Sequence, residues 1–201
     1  FIDQIQCFFI LLRIHMNRNE FFFILSIQGN EFIQNGYTVF NISRRPSPIE
    51  GVHNISVDFG SEECESQLSA VFEKLFGKES EGGQEISLVH AAGVHPEDSI
   101  IEYNGETMEQ AMRVNVLAPA MISSLITPYM HKNSSIIFVG STLSEKAVSN
   151  RLSYVASKHA VVGMMKSITQ DLFGKGIHTS FKDDLKVAVG VKNVKKRSRN
   201  E

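Results

Sequence analysis

The sequence predicts an α/β fold in which a doubly wound parallel sheet is covered by helices on both faces. Short runs of β-branched and aromatic residues alternate with helical stretches through the middle of the chain, which is the pattern of successive βαβ units. The length of 201 residues suits one domain. With 42% hydrophobic and 21% charged residues, the composition excludes a collagen-like or wholly disordered chain.

The predicted elements follow one another in a regular order. Strands are expected over residues 37–42, 54–57, 85–89, 134–139 and 177–180, and helices over residues 61–76, 105–130 and 152–173. Gly174 and Gly176 are expected to end the last helix. Ligands of such sheets bind at the carboxyl ends of the strands, so the residues directly after each strand are the ones to search for a site.

The two ends of the chain depart from this pattern. Residues 1–30 form an atypical N-terminal segment without clear periodicity, in which residues 21–27 are compatible with a first strand. Residues 31–180 form the predicted domain. Residues 181–201 are rich in lysine and arginine and predict a disordered basic tail. A nuclear address or a nucleic-acid patch is the alternative interpretation of that tail.

Composition limits the expected partners and location. The formal net charge of -2 argues against nucleic acid as a partner of the whole fold. The two cysteines show neither metal nor disulfide spacing, and the longest apolar runs are shorter than a membrane span. We therefore expect a cytoplasmic protein with no metal and no membrane partner. The chain opens on Phe1 without a signal-peptide pattern, and this start favours a truncated chain.

Three polar side chains predict proton chemistry. Tyr154 and Lys158 are four residues apart in a predicted helix and therefore share one helix face. Ser141 follows the strand over residues 134–139, at the edge where ligands bind. A phenol can donate a proton, a neighbouring ammonium stabilises the phenolate, and a second hydroxyl can hold a substrate oxygen. This set indicates chemistry on a carbonyl and alcohol pair, with the hydride supplied by a cofactor.

These residues and two further motifs resemble the short-chain dehydrogenase/reductase family. Alongside Ser141 stand Tyr-Val-Ala-Ser-Lys at residues 154–158, His-Ala-Ala-Gly at residues 90–93, and Asn115 within Arg-Val-Asn-Val. The motifs occur in the family's order, and the resemblance covers about residues 31–180. It implies a Rossmann-like sheet, which is here degenerate at its N- and C-terminal strands.

The resemblance also implies a role for each motif residue. Tyr154 is expected to be the catalytic acid and base, and Lys158 to support it while holding the nicotinamide ribose. Ser141 is expected to orient the carbonyl group, and Asn115 to support a proton relay through water. The implied substrate is a small carbonyl compound or its alcohol. Family members often dimerise through two long helices, so a homo-oligomer is expected through residues 105–130 and 152–173.

Cofactor contacts are expected, by the same resemblance, after several strands. Arg44 and its neighbour Arg45 follow the second strand of the family, where a guanidinium can grip a 2′-phosphate, so NADP is favoured over NAD. The other expected cofactor contacts are Asp58, Phe59, Ala91, Ala92, Gly93, Tyr154 and Lys158. A solvated loop at the two arginines and an ordinary turn at Asp58 are the alternative interpretations.

The sequence departs from the family pattern at three places. His90 stands where the family has asparagine, and we expect it to be a hydrogen-bonded structural residue. The glycine-rich turn that should follow the first strand is absent, since the first glycine of the chain is Gly29. The family pattern also stops after Ser180. These departures suggest an altered gene product.

Two functions from different classes therefore stay open. The first is an NADP-dependent oxidoreductase that interconverts a carbonyl compound and its alcohol, with activity impaired in this chain. The intact catalytic set favours it. The second is a non-catalytic remnant or interaction module of the same fold that has lost cofactor binding. The absent glycine-rich turn favours that alternative.

Overall fold

The computed structural model describes residues 8–13, 33, 37–77 and 85–182, with the backbone alone for residues 8–13. These residues contain one six-stranded sheet with the strand order β3-β2-β1-β4-β5-β6. The strands are β1 (Phe8–Arg13), β2 (Thr38–Ser43), β3 (Val52–Ser56), β4 (Glu85–His90), β5 (Ser135–Val139) and β6 (His178–Lys182). The predicted α/β fold class is confirmed.

The central strand differs from the expectation of a wholly parallel sheet. Neighbouring pairs among β2 to β6 run parallel, whereas β1 is antiparallel to both of its neighbours. In the register, Phe8 pairs with Ile42 and Arg13 pairs with Glu85. The structure thus takes its central strand from the apolar run that begins at Cys7. The alternative first strand over residues 21–27 lies outside the described residues.

Four α-helices are described: α1 (Cys64–Phe76), α2 (Gly105–Met112), α3 (Ala118–Ile126) and α4 (Leu152–Asp171). The predicted single stretch over residues 105–130 is divided, because a π-helical turn at Arg113–Leu117 joins α2 to α3 and a 3₁₀ turn at Thr127–Tyr129 follows. None of the described helices is both long enough and apolar enough to cross a lipid bilayer.

The core lies between the sheet and these helices. The fully buried strand residues include Ile86 and Leu88 in β4 and Ile136 and Phe138 in β5. Consecutive buried residues in β4 and β5 show that both sheet faces are covered, as in a parallel α/β sheet. From α1 the buried side chains are Cys64, Leu68, Phe72 and Phe76. Their spacing of four residues places them on one face of the helix.

The last described strand extends two residues past residue 180, the predicted end of the domain. β6 continues through Phe181, which pairs with Phe138, to Lys182, so the expected tail contributes its first two residues to the sheet. The rest of that tail lies outside the described residues. Between α4 and β6, Gly174 and Gly176 have φ angles of 79° and 75°, a left-handed conformation that glycine adopts without strain.

Candidate active site

The directions of the strands place the predicted site residues at one edge of the sheet. Because β2, β4 and β5 run in the same direction, the residues that follow them emerge together at the carboxyl edge. Arg44 follows β2, Ala91 follows β4, and Ser141 comes two residues after β5. This is the edge at which doubly wound sheets bind ligands.

Tyr154 and Lys158 meet on α4 above this edge. The Lys158 Nζ lies 5.7 Å from the centroid of the Tyr154 ring, as their spacing along the helix predicts. The same nitrogen donates a hydrogen bond to the carbonyl oxygen of Val139, the last residue of β5, over 3.1 Å. That bond ties the helix to the strand end, so the ammonium is fixed between them.

Lys158 is a buried cation. Only 7% of the residue is exposed, and burial lowers its pKa from the ordinary 10.5 to about 8, because the charged form is the one that loses hydration. Gly93 lies beside it. A Cβ at Gly93 would be 3.9 Å from Lys158 Nζ and 3.4 Å from Asn115 Oδ1, so a larger side chain would fill the space between the two groups. The expected approach of a cofactor to the backbone at residues 91–93 stays a prediction.

Asn115 clamps the loop that follows β4. Its Oδ1 accepts the N–H of Val94 over 2.8 Å, and its Nδ2 donates to the carbonyl of Val94 over 3.0 Å. Nδ2 also donates to the Ser157 hydroxyl over 2.8 Å, and that hydroxyl donates to the carbonyl of Tyr154. The π-helical turn presents Asn115, and such turns occur frequently at functional sites. Ser157, within the Tyr-Val-Ala-Ser-Lys motif, is a contact that the sequence analysis did not single out.

Ser141 lies at the end of β5, where the sequence predicts it. Its Oγ accepts the N–H of Leu143 over 3.1 Å and its N–H donates to the Ser144 Oγ, so Ser141 begins a short 3₁₀ turn with a reciprocal cap. The cap fixes the Ser141 side chain near the strand end to which Lys158 is bonded.

Two contacts beside Tyr154 were missed from the sequence. The rings of His95 and Tyr154 meet edge to face with centroids 4.1 Å apart. Burial, and next the Arg151 charge, lower the pKa of His95. Asp98 accepts the N–H of Ser153 over 3.1 Å and also bonds the Ser153 hydroxyl, so a residue of the preceding loop caps the start of α4. The one feature of the sequence from which the Asp98 contact could have been predicted is the presence of an aspartate soon after Gly93.

Two of the predicted cofactor-binding residues, Arg44 and Asp58, lie together in the structure. Their side chains form a partly exposed ion pair over 3.8 Å, and the other Asp58 oxygen accepts the N–H of Gly60 over 2.9 Å. Phe59 is buried and lines a cavity of about 260 Å³ with Arg113. Ala92 is buried and Ala91 is half-buried, directly after β4.

His90 has the structural environment that the sequence predicts for it. Its Nε2 forms a hydrogen bond with the Ser123 hydroxyl over 2.8 Å, and its ring stacks on Phe138 with centroids 4.8 Å apart. Complete burial lowers the pKa of His90 from 6.5 to about 3, so the ring is neutral at physiological pH.

The centre of the sheet does not place a phosphate-binding turn at the carboxyl edge of the parallel strands. Because β1 is antiparallel, its first residue, Phe8, lies at the carboxyl edge of the parallel strands, and its last, Arg13, lies at the opposite edge. A turn after β1 therefore starts on the wrong side of the sheet. The seven residues before β1 contain no glycine. Backbone N–H groups of a glycine-rich turn are the usual phosphate ligands at this place.

Comparisons with known proteins agree with the motifs. A family model described as short chain dehydrogenase matches residues 29–181. A 3-oxoacyl-(acyl-carrier-protein) reductase of Bos taurus is 25% identical over 181 residues, which are 80% of this chain and 74% of the relative. A reductase of the same name from Thermotoga maritima is 28% identical over 116 residues, 57% of this chain and 46% of the relative.

A solved structure extends the comparison to the fold. The blue fluorescent protein from a metagenomic library, in complex with NADPH, superposes with a TM-score of 0.56 at 26% identity, over 65% of this chain and 51% of that protein. This chain thus spans about half the length of that protein and less than half of the Thermotoga maritima relative. Since the family model matches most of the chain, the protein belongs to the short-chain dehydrogenase/reductase family of oxidoreductases.

Proposed function

We propose that the chain is an NADP-dependent oxidoreductase which interconverts a small carbonyl compound and its alcohol, with weakened cofactor binding. The observation that carries the proposal is the Tyr154 and Lys158 pair, held at the carboxyl edge by the bond from Lys158 to Val139. A phenol beside a fixed ammonium is suited to exchange a proton with a carbonyl oxygen.

In this proposal the four motif residues have distinct roles. The Tyr154 hydroxyl donates its proton to the carbonyl oxygen during reduction and takes it back during oxidation. Lys158 stabilises the phenolate that forms and, with Tyr154, holds the nicotinamide ribose. Ser141 donates a hydrogen bond to the substrate oxygen. Asn115 fixes the backbone at Val94 and supports proton delivery through water. A bound nicotinamide would supply the hydride.

We propose NADP as the cofactor because of Arg44. Its guanidinium stands after β2 and is partly exposed, and it pairs with the Asp58 carboxylate at 3.8 Å. A phosphate with two charges can displace or share that weak pair, since exposed ion pairs contribute little. Asp58, Phe59 and Ala91 to Gly93 complete the proposed cofactor surface.

Replacing Arg44 tests this choice. We expect Arg44→Asp to lower NADPH affinity by at least about tenfold while NADH affinity changes little, because it removes a cation and adds repulsion to the 2′-phosphate. Calorimetric titration of both cofactors into both proteins measures the two ratios. Equal affinity of the starting protein for NADPH and NADH would contradict the role of Arg44.

The alternative function is a remnant of the fold that binds no dinucleotide. The observation that favours it is the reversed β1, which removes the usual phosphate-binding turn from the site edge. Titration with NADPH separates the two functions, because a remnant gives no saturable signal at any concentration. Several large apolar side chains of the described part are exposed, and exposed apolar area favours self-association. Ile101 is 91% exposed, and Leu117 in the π-helical turn and Phe173 just after α4 are exposed as well. We therefore include a homo-oligomer in the proposal.

A further inference from the structure

Two asparagines hold the turn that carries Arg44 and Arg45. Asn41 in β2 and Asn54 in β3 are register partners on neighbouring parallel strands. The Asn41 Nδ2 donates to the Asn54 Oδ1 over 2.8 Å, so the two amides form one connected pair. The pair lies just before the point where the chain leaves β2.

Both amides also bond to the backbone of the turn. Asn41 Nδ2 donates its second hydrogen to the carbonyl of Arg45 over 2.9 Å. Asn54 Oδ1 accepts the N–H of Ser47 over 2.7 Å, and its Nδ2 donates to the Ser47 carbonyl over 3.4 Å. The turn is thus bonded on each side of Pro46. These side chains supply the backbone partners that a turn at the end of a strand otherwise lacks.

The network is buried at its β2 end, and its polar side-chain groups are hydrogen-bonded. Asn41 and Ser43 are 1% and 2% exposed, and the single proton of the Ser43 hydroxyl is shared between the Asn41 Oδ1 and the Arg45 carbonyl. Asparagine is depleted in strands, and burying an amide is costly unless all its groups are bonded. A satisfied buried network rigidifies the backbone that it contacts, and here that backbone is the arginine turn.

We propose that Asn41 and Asn54 are positioning residues, which hold the Arg44 and Arg45 turn in the shape that accepts a 2′-phosphate and so set the preference for NADP over NAD. This inference rests on the proposed function. A guanidinium binds phosphate through two parallel hydrogen bonds and therefore has to be correctly oriented. If the turn is already ordered before binding, the binding free energy does not include the entropic cost of ordering the turn.

The test uses two small probes that differ only in the 2′-phosphate, adenosine 2′,5′-bisphosphate and adenosine 5′-monophosphate. Neither needs a pyrophosphate site. Asn54→Ala is the main variant, because Asn54 is exposed and its loss is compatible with folding. Asn41→Leu is the second variant and keeps the volume. Asn104→Ala is the matched control, since Asn104 also accepts a backbone N–H, from Thr107, but at the start of α2.

We expect each of Asn54→Ala and Asn41→Leu to lower the preference for the bisphosphate by about tenfold, with little change in monophosphate affinity and none in the control. In an Arg44→Ala background, Asn54→Ala should cause no further loss, because the asparagine acts through the arginine. Calorimetry gives the affinities, and thermal melting confirms that each variant is folded.

Three results would overturn the proposal. An unchanged preference in a folded Asn54→Ala protein removes the positioning role while Arg44 keeps its own. Equal losses for both probes show a general structural role instead. A starting protein that does not distinguish the two probes refutes the proposed NADP recognition itself, and that result is visible before any asparagine is changed.

Discussion

At the scale of single residues, a buried ammonium lies at the centre of the site. Lys158 has a pKa of about 8 in the folded protein and 10.5 in its ordinary state. Between these values the unfolded chain binds a proton that the folded chain has released. Stability therefore rises with pH across this window, because the penalty for burying the charge disappears as the amine becomes neutral. Below pH 8 the full penalty is present.

Lys158→Met should remove this dependence. We expect the variant to be the more stable protein near pH 7.5, and the difference in unfolding free energy to shrink by roughly 2 kcal/mol by pH 10. Urea denaturation of both proteins at the two pH values measures it, and the comparison cancels the other groups that titrate there. A difference that does not change with pH would show that the Lys158 charge is not buried.

His90 gives a dependence of the same sign in a lower pH window. Its pKa is about 3 in the folded protein and 6.5 in the unfolded chain, so below pH 6.5 only the unfolded chain takes up the proton. Stability is therefore lost as pH falls. His90→Asn should abolish this term, which amounts to roughly 2 kcal/mol between pH 7.5 and pH 5. Denaturation curves at those two pH values test it, and an equal acid loss in both proteins would place the titrating group elsewhere.

At the scale of elements, the start of α4 depends on a residue that is distant in sequence. Asp98 bonds the N–H and hydroxyl of Ser153, one residue before Tyr154. A carboxylate there satisfies a free N–H and complements the helix dipole. Asp98→Ala should therefore destabilise the protein by about 1–2 kcal/mol and lower affinity for any ligand that contacts Tyr154.

The neighbouring Glu97 supplies the control for this prediction. Its exposed ion pair with Arg151, over 3.5 Å, should contribute less than about 0.5 kcal/mol. Urea denaturation of Asp98→Ala, Glu97→Ala and the starting protein gives the two costs side by side. If both variants lose the same small amount, Asp98 does not cap the helix.

Local patterns were sufficient for some parts of the site and insufficient for others. The Tyr154 and Lys158 contact follows from their spacing on one helix, and Ser141 follows from the strand before it. The π-helical turn at Arg113–Leu117 has no glycine or proline to mark it, so the stretch was predicted as one helix. The bonds from Asn115 to Val94 and from Asp98 to Ser153 join residues 21 and 55 positions apart, and no local periodicity reports them.

At the scale of the whole molecule, the direction of β1 could not be predicted. The apolar run that forms β1 is visible in the sequence. Such a pattern does not indicate whether the strand runs parallel or antiparallel to its neighbours, and only pairing with β2 and β4 decides its orientation. The family fold was predictable because its motifs follow β4 and β5, which have their expected order and direction. Within the described sheet, β1 is the strand whose direction is reversed, and it stands where the phosphate-binding turn is expected.

The last prediction concerns that strand. Hydride transfer requires a nicotinamide held within reach of the substrate carbon, and the pyrophosphate normally supplies much of the anchoring. We expect the starting chain to bind NADPH weakly and to reduce carbonyl compounds slowly despite its intact Tyr154, Lys158, Ser141 and Asn115. Replacing residues 1–30 with a strand that runs parallel to β2, followed by a Thr-Gly-x-x-x-Gly-x-Gly turn and its helix, should raise NADPH affinity at least about a hundredfold, because the phosphate-binding N–H groups then lie at the site edge.

The matched control carries the same replacement with its three glycines changed to alanine, so that strand direction is restored and phosphate approach is not. Calorimetry with NADPH and single-turnover reduction of a carbonyl substrate measure both effects. If the starting chain matches the restored chain in binding and rate, the reversed strand does not limit the site.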